Sequence, residues 1–173
     1  MPLPWGYDGR VVGRRTVSTG TWSERLLALL IVATALAAID QWVKLTVPTP
    51  TWAVHHRSDL WFAGSCLVLV AVLPLTRLPS RAVSIAAGVF SGGVLGNLLS
   101  ASNGGLDVPN PIVVMHGMGG VAFNPADAFL EAGNLALMAT LAWVALRHRE
   151  ELSAWRASRL ERLQGRLPSR DRR

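Results

Sequence analysis

The chain is short of several things, and each shortage narrows what it can be. It has one cysteine, Cys66, which excludes an intrachain disulfide and a cysteine-rich metal site. It has one tyrosine, and one lysine, Lys44, among 17 basic residues. Its arginines, the source of a net charge of +6, gather toward the ends, with Arg57, Arg77 and Arg81 between. Arg10, Arg14, Arg15 and Arg25 precede the first apolar run, and a series from Arg147 to Arg173 follows the last. Basic ends alone do not make a nucleic-acid-binding protein, and no nucleic acid is expected as a partner. The stretch from Ala101 to Asn124 has no Lys or Arg at all.

What the chain has in abundance is apolar residues, at 50% of 173, with a positive mean hydropathy. Soluble domains of this size rarely reach that value. Four runs meet the length test for a membrane-spanning helix, about 20 residues across about 30 Å of hydrocarbon. They are Leu26–Val47, Leu60–Thr76 (with Pro74 near its end), Ala82–Ser100 and Asp127–Leu146. Pro125 suits the first turn of the fourth, where a missing N–H is harmless. The fold class expected is therefore an all-α integral membrane protein of four transmembrane helices. A basic N-terminal segment, 1–25, and a basic C-terminal helix or tail, 148–173, flank a membrane domain at 26–147.

Charge orients these helices. Arg77 and Arg81 lie between helices two and three, on the side of both arginine-rich ends. The Pro48–Asp59 loop holds only Arg57. The positive-inside rule places both termini in the cytoplasm of a plasma membrane and the two charge-poor loops outside. The first apolar run is too long for the core of a cleavable signal peptide, and it carries Asp40 and Lys44 where small residues would be needed. Membrane lipid is an expected partner, and the tail arginines suit anionic headgroups.

Ionisable residues inside membrane helices are costly and point to function. Four stand out: Asp40 and Lys44 near the outer end of helix one, and Asp127 and Glu131 near the outer start of helix four. Each pair is spaced i, i+4 and shares a helix face. An intrahelical ion pair accounts for the first, and an N-terminal carboxylate favoured by the helix dipole accounts for Asp127.

Three strips, taken together, go further. "AIDQWVK" (Ala38–Lys44), "GGVLGN" (Gly92–Asn97) and "FNPAD" (Phe123–Asp127) resemble, in order and spacing, the motifs of the bacterial lipoprotein signal peptidase family, signal peptidase II. The resemblance runs over residues 26–147. It implies an aspartic endopeptidase acting near the outer membrane face on prolipoprotein signal peptides, just before a cysteine carrying diacylglycerol. One carboxylate of an aspartic dyad holds a proton while the other activates water. On this resemblance Asp127 is the second dyad aspartate, and Asp40, Lys44, Asn97 and Asn124 support the site. The family's third-helix motif continues to Asp-Arg, where this chain has Ser100-Ala101. The resemblance thus puts Ser100 at the position of a missing dyad carboxylate. The first outer loop, "TWAVHHRSDLWFAG", also departs from the family's "N-x-G-A-A-F".

A serine hydroxyl cannot shuttle a proton near neutral pH, and no partner base makes Ser100 a nucleophile. Two carboxylates are candidate substitutes. Asp107 aligns with the aspartate of the family's "V-V-D-F" strip if a short deletion is allowed. Glu131, at a position usually apolar in the family, either completes the dyad, or pairs with Lys44 or stays protonated and hydrogen-bonded. Three functions follow: a proteolytically impaired relative retaining a lipid- and signal-peptide-binding cleft, an active peptidase using Glu131 or Asp107, or a membrane scaffold without a cleft. His55, His56 and His116 lack metal-site spacing, and no metal or cofactor is expected. The glycines of the last outer loop, among β-branched residues, predict a short sheet or flap over the cleft. Trp52, Trp61 and Trp143 suit interfacial belts, and the small residues Gly88, Gly92, Gly93 and Gly96 of helix three suit close helix packing.

Overall fold

The computed structural model describes residues 20–116, 119–147 and 149. Most of the N-terminal basic segment and the C-terminal tail, with its expected helix, lie outside these. Four helices alternate in direction: α1 (Trp22–Thr46), α2 (Asp59–Val72), α3 (Arg81–Asn103) and α4 (Pro125–Arg147). A 3-10 turn, Leu73–Arg77, extends α2 where Pro74 ends regular helical bonding. With that turn included, all four are long and apolar enough to cross a membrane. Two small antiparallel sheets sit between them at one end. In one, β1 (Val54–His56) pairs with β2 (Asp107–Pro109), with His55 opposite Val108. In the other, β3 (Ile112–His116) pairs with β4 (Gly119–Phe123).

Local chemistry sets the boundaries. α1 begins four residues before the apolar run because Thr21 and Glu24 form a capping box. The Thr21 hydroxyl accepts the Glu24 N–H, and the Glu24 carboxylate accepts the Thr21 N–H. Arg25 is buried. Its guanidinium donates to the carbonyls of Thr76 and Gly20, and the Trp22 indole donates to the Thr76 hydroxyl. These bonds tie the start of α1 to the end of α2.

α3 is the centre of the bundle, and most of its length is buried between α1 and α4. Small residues make this possible. A Cβ on Gly93 would stand 2.5 Å from the Ala126 carbonyl oxygen and the Leu130 nitrogen of α4, and one on Gly92 would stand 2.8 Å from the Leu36 Cβ of α1. In a membrane, where apolar burial gives little drive to helix association, such close backbone approach supplies dispersion contacts instead. The outward faces carry large apolar residues, among them Leu45, Leu60, Leu67, Leu135 and Met138. Exposed tryptophans mark both ends, with Trp22 and Trp143 at one and Trp42 and Trp52 at the other. Trp61 lies in the first turn of α2. It is half-buried, with the Arg57 guanidinium 5.2 Å above its ring centroid.

Candidate functional site

The end of the bundle formed by the C-terminal turns of α1 and α3 and the first turn of α4 holds a continuous polar network. It begins in α1. The Asp40 side chain is fully buried, and its Oδ2 lies 2.8 Å from the Lys44 Nζ one turn on. The same oxygen accepts from Gln41 at 3.0 Å, while Oδ1 accepts the backbone N–H of Ala126 at 2.9 Å. That N–H belongs to the first turn of α4, where helix donors have no intrahelical acceptor. A carboxylate therefore satisfies an orphan donor and the positive end of the helix dipole together.

Lys44 links α1 to α3. Its ammonium donates to Asn97 Oδ1 at 3.0 Å, and the Asn97 amide nitrogen donates to Asp127 Oδ1 at 3.0 Å. Asp127 is held from its own helix too. Its N–H donates to the Asn124 Oδ1, and its Oδ2 accepts the Asn124 N–H at 3.2 Å. Asn124, Pro125 and Asp127 thus form a reciprocal cap at the start of α4. The buried Asn124 amide nitrogen reaches Asn97 Oδ1 at 3.1 Å, the Pro109 carbonyl at 3.3 Å and Asn110 Oδ1 at 2.6 Å. Asn110 is itself buried. Prolines on both sides restrict its backbone to extended conformations, and its N–H donates to the Ala53 carbonyl.

The three sequence strips converge here: Asp40 and Lys44 from the first, Asn97 from the second, Asn124 and Asp127 from the third. Ser100 joins them only through Gln41, whose amide nitrogen also bonds Asp40 Oδ2. Its hydroxyl bonds the Gly96 carbonyl and Gln41 Nε2, so it sits on the α1–α3 seam and makes no hydrogen bond to Asp127. Asn97 and Ser100 both meet α1, at Lys44 and Gln41 respectively, and only Asn97 also reaches Asp127. The residue that does enter the Asp127 network from the outer loop is Asn110, which sequence reasoning passed over. Its flanking prolines, in "VPNP", were the available signal.

Glu131 is exposed on α4 and makes no ion pair with Lys44, contrary to one of the expectations for it. Its neighbour in the chain, Leu130, packs against α3 at Gly93. Asp107 is also outside the network, paired with His56 at 2.9 Å on the surface. His55 bonds the Asn110 amide at 3.1 Å. The side chain of His116 lies outside the described residues. Among the described residues, no three His, Cys, Asp or Glu side chains gather as metal ligands.

No family model matches the chain, and no curated protein matches it. A solved structure of a bacterial membrane enzyme, determined by the in meso method at 2.3 Å resolution, has a similar fold. The TM-score is 0.52 at 16% sequence identity, with 71% of this chain and 90% of that one covered. The chain is a four-helix membrane protein with the fold of a membrane enzyme.

Proposed function

We propose that this protein is a lipoprotein signal peptidase-like membrane protein that holds a lipid-linked signal peptide at its polar end without cutting it. One observation carries the reading: the hydrogen bonds to the Asp127 carboxylate come from the Asn97 side-chain amide and the Asn124 backbone N–H, not from a second acid. The next side chain outward is Asn110. The other buried carboxylate of the network, Asp40, is occupied by Lys44 and by the α4 N-terminus. Hydrolysis by a carboxylate pair needs one ionised and one protonated acid beside the same water. Carboxamides neither accept nor release a proton near neutral pH, but they donate and accept hydrogen bonds, as an extended peptide backbone requires. The convergence of the three strips supports kinship with the peptidases. The surfaces of Glu131 and Asp107 offer no support for a relocated dyad.

The distribution of charge supports an orientation with both ends in the cytoplasm of a bacterial plasma membrane. Among the described residues, Arg25, Arg77, Arg81 and Arg147 lie at the bundle end opposite the polar network, which has Lys44 and Arg57 beside it. The decisive experiment incubates the full-length protein with a diacylglyceryl-modified prolipoprotein. The expected result is no cleavage product but retained binding, which Asn97→Leu abolishes. Cleavage by the wild type that disappears in Asp127→Ala would overturn the proposal.

A further inference from the structure

A second feature lies on the α2 side of the bundle, apart from the Asp127 network. α2 packs mainly on α3, and where it parts from α4 a groove of about 350 Å³ opens. Trp61, Gly64, Ser65 and Val68 form one wall at helical spacing, Phe90 and Val94 of α3 form the floor, and Leu130 of α4 closes the other side. The lining is almost wholly apolar. Leu60, Leu67 and Val70, on the exposed faces of α2, flank it, so the groove opens sideways to the level of lipid tails.

Arg57 stands at the end of this groove. Its guanidinium lies over Trp61, the lining residue nearest the start of α2. It makes no ion pair within 4 Å among the described residues, and its Nε is buried without a hydrogen-bond partner there. The nearest acids are otherwise disposed: Asp107 pairs with His56, and Asp40 pairs with Lys44. A guanidinium stacked on Trp61 with no carboxylate partner among the described residues, at the end of an apolar slot, is complementary through its terminal N–H groups to a phosphate joined to a hydrocarbon chain.

We infer that this groove binds an anionic glycerophospholipid, with one acyl chain along Trp61–Val68 and the headgroup phosphate on Arg57. None of the groove's lining residues takes part in the Asp127 network, and Arg57, though near Lys44, makes no hydrogen bond within it. The interfacial level fits as well: Arg57 immediately precedes a membrane-spanning helix, where headgroups meet basic side chains.

The test is native mass spectrometry of the full-length protein in mild detergent, with chain-matched phosphatidylglycerol, phosphatidylcholine and diacylglycerol in competition. The wild type should retain phosphatidylglycerol over either neutral lipid by about tenfold, the effect of one charge-assisted contact. Arg57→Gln should abolish that preference and Arg57→Lys should keep part of it. Gly64→Phe should lower retention of all three lipids by filling the groove, since nothing lies within 4 Å of a Cβ at Gly64. Asp127→Asn should change none of this, which separates failure here from failure of the peptide-binding reading. Equal retention of charged and neutral lipids, or a preference that survives Arg57→Gln, would overturn the inference. So would complete displacement by excess inorganic phosphate together with indifference to Gly64→Phe, which would mean an anion site without a chain groove.

Discussion

Asp40 of α1 accepts the backbone N–H of Ala126 at 2.9 Å, joining two helices 86 residues apart in sequence through one buried carboxylate. The contact places the first turn of α4, and with it Asp127, against α1 and α3. It also makes Asp40 answerable to two positive partners, the helix end and Lys44. An acid so engaged is a positioning group.

Removing that carboxylate should therefore be expensive. Asp40→Asn leaves Lys44 buried without its counter-ion and should lower unfolding stability by about 3–5 kcal/mol, the range for breaking a buried pair from one side. Denaturant titration in detergent would read the loss. Lys44→Met should lose a similar amount, and the double variant should lose less than the sum, because neither charge is then stranded. Additive losses would mean that the two side chains act separately.

Asn124 is the most heavily bonded amide of the site, with Asn97, Asn110, Pro109 and the Asp127 N–H as partners. Asn124→Ala should cost about 3 kcal/mol, several buried bonds at about 1 kcal/mol each. The exposed His56–Asp107 pair is the natural contrast. His56→Ala should change stability by under about 1 kcal/mol, as surface pairs do. Comparable losses at the two positions would contradict the burial argument.

Restoring a second acid should depend on where it is placed. Asn110→Asp puts a carboxylate into the Asp127 network through Asn124, whereas Ser100→Asp puts one beside Gln41 on the α1–α3 seam. If the cleft otherwise survives, Asn110→Asp is the variant in which prolipoprotein cleavage should emerge, and Ser100→Asp should remain silent. The reverse result would show that the seam, and not the outer loop, faces the substrate.

Two glycines should behave oppositely. A Cβ at Gly133 meets the backbone of Phe90 in α3, so Gly133→Ala must push α4 off α3 and should destabilise by about 1–3 kcal/mol. Gly64 has open space around it, and Gly64→Ala should be neutral or stabilising by up to about 1 kcal/mol through helix propensity. Thermal unfolding of both proteins in the same detergent decides the matter.

The sequence by itself determined the four helices, because twenty apolar residues in a row admit few other fates for a backbone that must satisfy its hydrogen bonds in lipid. The resemblance of its three strips to the family motifs also put Asp40, Lys44, Asn97, Asn124 and Asp127 in one site, which burial cost alone could not do. Spacing along a helix could not say which way Ser100 turns: it lies within one turn of Asn97, and only the packing of α1 against α3 sends it to Gln41. Glu131 likewise shares a helical face with Asp127 by count, yet the position of α3 leaves it exposed. Asn110 gained its place from strand pairing between two distant loops, β1 and β2, a contact that no local pattern encodes. Arg57 and the groove beneath it exist only because α2 diverges from α4. Local chemistry wrote the elements, and the partners of each side chain were set by how those elements pack.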